Sequence, residues 1–447
     1  MKKKILNLIF LIIFIANLIY PSYIFAQSPV IMENDNIKML MKEKDVFANL
    51  KAPNLLLGEA SNGNILYERG ANEKIYPASI TKLLTAILVV ENCELDEIVT
   101  VSENAVFSVP SGYVNANLQV GEELTVEDLL YAMLIPSAND AANALAEHVG
   151  GSIESFSTMM NTRAKELGCT KSNFTNPSGL YQEEHYSTTR DLYLISKEAI
   201  TKPIIKKIIS TTRYTLPETN KYTDTNLKRI FITTNYMIRE SLNEYYCNYC
   251  IGGKTGYTTE AKNCVIEYAQ KDGIELIVIV MGENAFVKGQ KFLDAKIMFE
   301  YVFQNYENKK IAIKNEKYET IKINNATKET KNLEVVYKDN INILKKINDN
   351  KEIEKNIEYT NIKAPINKGD IVGKITYEYD GIKYSTELIS NGDVEESKIF
   401  NNIINILIIL LIIYIIYNLK KGKSIYKKHG KKIKKSYQNK YRKNKIL

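Results

Sequence analysis

The apolar positions of this chain change their spacing several times, and each change marks an element. Leu55–Leu57 and Ile65–Tyr67 flank Ser61-Asn62-Gly63-Asn64, which predicts a hairpin because Asn-Gly favours a tight turn. From Ser79 to about Glu91 the apolar residues run nearly all round (Leu83, Leu84, Ala86, Ile87, Leu88, Val89, Val90), as in a buried helix. Residues 126–149 read as helices broken at Pro136. Residues 264–281 read as a strand pair turning at Lys271-Asp272-Gly273, and Phe292, Ala295, Phe299 and Val302 recur at helical spacing within 287–305. After about Glu307 the pattern becomes strand-like, as in Lys374-Ile375-Thr376-Tyr377-Glu378-Tyr379 ahead of Asp380-Gly381. Strands, then helices, then strands and a helix predict an α+β domain over residues 48–307. Its single sheet is closed by the two ends of the segment, and a small separate β domain follows over 308–395.

The two ends of the chain read differently. Lys2-Lys3-Lys4, the apolar residues 5–16 and Ile24-Phe25-Ala26 form a signal-peptide pattern. It predicts removal of residues 1–26, with an uncleaved anchor as the alternative because Ile24 is a poor small residue. Residues 27–47 form a linker. Residues 399–419 are uncharged and rich in Ile and Leu, and as a helix would rise about 31 Å, enough to span a bilayer core. The segment 420–447 carries thirteen Lys/Arg and no acid, which predicts a cytoplasmic tail and an exported body on a single-pass membrane protein.

Composition matters mainly through this partition. The formal net charge of +7 resides in the ends, and residues 5–419 carry about −9. A nucleic-acid partner is therefore not expected, since a basic footprint belongs on the folded domain. Cys93, Cys169, Cys247, Cys250 and Cys264 are too scattered for a disulfide framework. Cys247 and Cys250 lack the companions of a zinc site, so no metal is expected there; a local disulfide or two free thiols is the simpler reading.

Three short motifs carry candidate chemistry. In Ser79-Ile80-Thr81-Lys82 the hydroxyl and amine share one helix face, and a helix start favours an alkoxide. A lysine acts as base only when neutral, which burial and a second cation promote. Ser137-Ala138-Asn139 follows Pro136, where a helix cap is the default and a proton relay with a substrate-holding amide is the functional alternative. Lys254-Thr255-Gly256 precedes a strand pattern and suits a terminal carboxylate; a turn is the bland alternative. Each is weak alone. In this order they form the motif set of penicillin-binding proteins and class A β-lactamases.

With these motifs, the chain resembles the low-molecular-mass, penicillin-binding D-alanyl-D-alanine carboxypeptidases over roughly residues 48–395. The resemblance extends through Gly121–Val126, Asn176-Pro177-Ser178-Gly179-Leu180, His185-Tyr186-Ser187-Thr188 with Asp191, Tyr257-Thr258 and Ala364–Asp370. It implies a transpeptidase-like domain, with helices on both faces of an antiparallel sheet and a helical subdomain. It also implies cleavage of the terminal D-Ala from peptidoglycan pentapeptide stems through an acyl-enzyme, with β-lactams as inhibitors and no cofactor. The implied roles are Ser79 as nucleophile, Lys82 as base and Ser137 as proton relay. Asn139 would hold the substrate or orient Lys82, and Lys254 and Thr255 would hold the free carboxylate, with Gly256 letting the substrate backbone approach. The N–H groups of Ser79 and Tyr257 would form the oxyanion hole. A β-lactamase would need an efficient deacylating group that is not assignable here, and a sensor would need an output domain larger than the tail. An endopeptidase of the same family is not separated by sequence. His185, with Ser187 and Asp191 in one segment, reads as a loop-capping histidine and not as a triad member. Lys262 stands where relatives often have glycine.

Overall fold

The computed structural model describes residues 47–443 apart from 224–227, 285, 288 and 361; the expected signal peptide and nearly all of the linker lie outside the described residues. The first hairpin forms as its pattern predicts, β1 (Asn54–Glu59) against β2 (Ile65–Arg69), with Leu57 opposite Tyr67. A 3₁₀ turn (Ala78–Thr81) then leads into α1 (Lys82–Asn92), whose residues 82–89 are all buried. The helical region continues through β3 (Ile98–Thr100), α2 (Glu103–Phe107), β4 (Glu123–Thr125), α3 (Val126–Leu134), α4 (Asn139–Gly150), α5 (Ile153–Glu166), α6 (Thr189–Thr201) and α7 (Pro203–Ile209). The break between α3 and α4 falls at Pro136, as expected of a residue that lacks the N–H for a helix interior.

The chain returns through β5 (Arg213–Thr215), β6 (Ile230–Ile232), β7 (Cys250–Thr258), β8 (Lys262–Lys271) and β9 (Ile274–Glu283) to α8 (Gln290–Asn305). The central sheet has the order β2-β1-β9-β8-β7, so both ends of the segment do meet in one sheet, and β7 forms an edge. The turn joining β8 to β9 is tight, with Asp272 and Gly273 at φ of 51° and 77°. Successive strand residues point to opposite faces. Leu55, Leu57, Val278 and Val280 pack into the cluster that contains Phe292, Ala295 and Phe299 of α8. On the other face, Tyr268 donates to the Ser196 carbonyl of α6 (3.0 Å). Helices cover both faces, which is why β9 reads as a nearly continuous apolar run.

Helix α8 passes directly into β10 (Tyr306–Ala312), without a linker. There follow β11 (Lys317–Lys322), β12 (Asn332–Tyr337), β13 (Ile341–Lys346), β14 (Glu354–Tyr359), β15 (Ile371–Tyr379) and β16 (Ile382–Ser390), in sheets β10-β13 and β11-β12-β16-β15-β14. The β domain is separate in its sheets but not in its packing. One hydrophobic cluster runs from Leu55, Val278 and Phe299 to Tyr306, Ile343, Ile375 and Tyr384, and Asn308 donates to the Gly273 carbonyl at 2.8 Å.

The last element is α9 (Lys398–Lys443). Its stretch Ile403–Lys420 has a mean hydropathy of 2.3, and none of it is buried. Among the described residues it is the one helix long and apolar enough to cross a membrane, and it is a candidate anchor.

Candidate active site

The 3₁₀ turn explains the spacing of the first motif. In that geometry side chains at i and i+3 eclipse, and Lys82 Nζ lies 3.0 Å from Ser79 Oγ. The turn is set by Ala78, whose φ is +48°. Ser79 therefore stands just ahead of the α-helix and not in its first turn as the pattern suggested. Lys82 is fully buried. Its other directions are taken by two acceptors, Asn139 Oδ1 and the Ser178 carbonyl, both at 2.7 Å. Burial, then the positive charge of Lys254, holds the Lys82 amine well below its ordinary range.

Ser137 and Asn139 come from the break between α3 and α4. Ser137 has φ +74°, a conformation that costs about 1–3 kcal/mol in a residue with a side chain and often marks functional sites. It does not cap α4; Ala138 holds that position, without a side-chain cap. Asp140 anchors this corner by accepting the backbone N–H groups of Ala116 (2.8 Å), Leu118 (3.1 Å) and Ala141 (2.9 Å).

Lys254, Thr255 and Gly256 lie inside β7, not before it; the glycines of this strand had disguised it as a turn. Lys254 is buried and donates to Ser137 Oγ and to the Thr255 carbonyl, each at 2.8 Å. Burial, then the charge of Lys291, lowers it to about 7. Thr255 Oγ1 meets Thr234 Oγ1 at 2.5 Å. Tyr257 follows on the edge strand with its side chain exposed. A side chain on Gly256 would place its Cβ 3.2 Å from the Ser79 nitrogen and 3.2 Å from Ala78 Cβ, so glycine lets β7 close on the nucleophile turn. All eight predicted residues, Ser79, Lys82, Ser137, Asn139, Lys254, Thr255, Gly256 and Tyr257, thus converge on one corner between the sheet edge and the helices.

Sequence reasoning assigned no role to Ser178 or Thr234. The Ser178 carbonyl is fixed by its loop, where Asn176 Oδ1 accepts the N–H groups of Ser178 (3.2 Å) and Gly179 (2.8 Å). Thr85 Oγ1 donates to the Pro177 carbonyl at 2.7 Å. At Gly179, with φ +83°, a Cβ would fall 1.8 Å from the Ala78 carbonyl oxygen, so this loop and the nucleophile turn require each other. The only local signal was the Asn-Pro-Ser-Gly sequence itself, a turn signature.

His185 is buried, with Nε2 2.9 Å from Thr81 Oγ1 and Nδ1 3.1 Å from the Thr175 nitrogen. A backbone N–H can only donate, so Nδ1 accepts and Nε2–H donates to Thr81. Burial, then Lys82, lowers this imidazole to about 4. Ser187 and Asp191 instead meet Ser172 Oγ, at 2.8 and 2.7 Å, so the three form no triad. Lys262 has φ +58°, the left-handed region that glycine occupies without cost. The five cysteines are free thiols.

A sequence model of the D-alanyl-D-alanine carboxypeptidase family matches residues 38–285, and one of the penicillin-binding protein 5 C-terminal domain matches residues 306–396. The chain is 33% identical over 337 residues to the D-alanyl-D-alanine carboxypeptidase DacF of Bacillus subtilis, covering 74% of this chain and 82% of the relative. It is 27% identical to DacA, of the same description, from Haemophilus influenzae, over 78% of this chain and 87% of that protein. Among solved structures, penicillin-binding protein 5 from Haemophilus influenzae superimposes with a TM-score of 0.67 at 25% identity, over 78% of this chain and 98% of that one.

Proposed function

The chain belongs to the D-alanyl-D-alanine carboxypeptidase family and is a penicillin-binding serine carboxypeptidase of that class; from this premise we propose that Ser79 is its nucleophile and Lys82 its general base. The observation that carries the proposal is the surroundings of Lys82 Nζ. A neutral amine has two N–H groups and one lone pair. Asn139 Oδ1 and the Ser178 carbonyl only accept, so they take both N–H groups. The lone pair then faces Ser79 Oγ at 3.0 Å, within the reach that general-base catalysis requires.

Ser79 Oγ attacks the carbonyl carbon of the penultimate D-Ala of a peptidoglycan stem, and its proton passes to Lys82. The carbonyl oxygen gains negative charge against the Ser79 and Tyr257 N–H groups; one such donor is typically worth about 10²–10³ in rate. The C–N bond breaks, and Ser137 relays to the departing amine of the terminal D-Ala the proton that Lys82 took from Ser79, its own hydroxyl being restored in the same step. Lys254 and Thr255 hold that residue's carboxylate, with Thr234 orienting the Thr255 hydroxyl. Asn139 orients Lys82 through Oδ1 and offers Nδ2 to the substrate peptide. Water then cleaves the ester on Ser79. A β-lactam forms the same ester, but its leaving group stays tethered.

The catalytic domain works outside the cytoplasmic membrane, with residues 399–419 spanning it and the basic tail inside. The apolar stretch of α9 and the thirteen Lys/Arg after it support this reading. Domain limits of 48–307 and 308–395 follow the change of pattern near Glu307.

The test is mass spectrometry of the detergent-purified chain, with Ser79→Ala as control. It is incubated separately with a peptide ending in Lys-D-Ala-D-Ala and with penicillin. Release of one D-Ala and a penicilloyl adduct on Ser79, both absent from the control, are the expected results. An adduct on another residue would remove Ser79 from the mechanism. An adduct without D-Ala release would leave an endopeptidase or a penicillin-binding sensor.

A further inference from the structure

Away from the active site, three metal-ligating side chains from separate segments meet at the opposite end of the two helices that carry Lys82 and Asn139. Cys93 is the residue that ends α1. Glu97 lies four residues further, in the loop before β3. His148 is in the last turn of α4. Glu97 Oε2 and His148 Nε2 are 3.1 Å apart, and the thiol, carboxylate and imidazole atoms all lie within 4.8 Å of one another. A tetrahedral zinc ion with ordinary bond lengths separates such ligands by roughly 3.3–3.6 Å, so the cluster is near the geometry that would hold one.

The supports of these groups are already in place. Glu97 Oε1 accepts the Glu94 N–H at 2.6 Å, which leaves Oε2 facing the imidazole. The loop is tied to the start of α3 by Val126 N–H to the Glu97 carbonyl and Glu127 N–H to the Leu95 carbonyl, both 3.0 Å. Beside His148, the Glu147 carboxylate is engaged by Ser102 and Asn104 and does not compete.

We propose that Cys93, Glu97 and His148 form a divalent-cation site of zinc type, with water as the fourth ligand, that clasps the C-terminal ends of α1 and α4. One sulfur, one nitrogen and one oxygen donor suit a borderline-soft late first-row ion and not calcium or magnesium, which take oxygen ligands. The ion takes the thiolate, and the Cys93 proton goes to solvent. An 11-residue helix rises about 16 Å, so the ion would stand well away from the Ser79 chemistry and act on stability.

The test is cobalt(II) titration of the metal-stripped full chain in detergent micelles. One equivalent should bind with a sulfur-to-cobalt charge-transfer band and the visible bands of a tetrahedral ion, and zinc(II) should displace it. Cys93→Ser should lose the charge-transfer band, and His148→Gln should weaken binding by at least about tenfold, the scale of losses seen even for groups one shell further out. Cys247→Ser/Cys250→Ser should keep the band. Zinc should raise the melting temperature of the wild type and not of His148→Gln, whose half-exposed position makes it safe for folding if Cys93→Ser is not. No band, a band that survives Cys93→Ser, or one lost in Cys247→Ser/Cys250→Ser would overturn the proposal.

Discussion

At the scale of single residues, the site depends on keeping two lysines buried near one another. The Lys254 charge makes protonation of Lys82 harder, and it is the second largest cause of the lowered Lys82 affinity for protons, after burial. Lys254→Met should therefore let Lys82 hold its proton to higher pH. Acylation of Ser79 by a fluorescent penicillin, followed against pH, should show its acidic limb displaced upward in that variant; an unmoved limb would separate Lys82 from the base role. His185 gives a second pH effect. Its folded value of about 4 lies below the ordinary 6.5, so between these values the unfolded chain takes a proton that the native chain refuses. Stability should fall as pH drops through that window, by up to about 1.4 kcal/mol per pH unit and on the order of 3 kcal/mol in all. Urea unfolding of wild type and His185→Gln on both sides of the window checks this, the variant losing that share of the slope.

At the scale of elements, the proposed mechanism needs the edge strand β7 to close on a 3₁₀ turn with no side chain between them. Gly256→Ala puts a methyl 3.2 Å from the Ser79 nitrogen and Ala78 Cβ. β7 can retreat by a few tenths of an ångström, so the fold should survive with a small fall in melting temperature. The N–H of Ser79 and the groups of β7 would then no longer converge, and acylation should slow by about tenfold to a hundredfold, as misplacements of this order do. Stopped-flow acylation beside a thermal melt distinguishes this from general destabilisation. The same strand shows why the third motif was misplaced by sequence. Gly252, Gly253 and Gly256 weaken a strand pattern, and what restores it is pairing with β8, where Lys254 lies opposite Ile266.

At the scale of the whole molecule, the β domain is a docked body. The shared hydrophobic cluster and the direct passage from Asn305 to Tyr306 fix it against the catalytic domain. Ending the chain after Ser397 removes α9, whose apolar stretch is unburied. The truncated protein should leave the membrane fraction and keep its melting temperature and its penicillin acylation rate. Ending it after Asn305 should do the opposite to stability, because Phe299 and Tyr306 belong to a core that the β domain completes. Fractionation and thermal melts of the two truncations read both outcomes.

The sequence by itself determined the elements and their order, because hairpin turns, helical spacing and alternation are local: they need only near neighbours along the chain. It also picked out the eight side chains that the structure brings together, since the three motifs and their flanks are each short. What only the tertiary structure decided are relations across long separations. Ser178 reaches Lys82 across 96 residues, and Lys254 reaches Ser137 across 117. The lowered proton affinity of Lys82, the hydroxyl pair Thr234–Thr255 and the meeting of Cys93 and Glu97 with His148 also belong here. Proton affinity and ligand geometry depend on distances through space and on exclusion of water, and neither has a period along the chain.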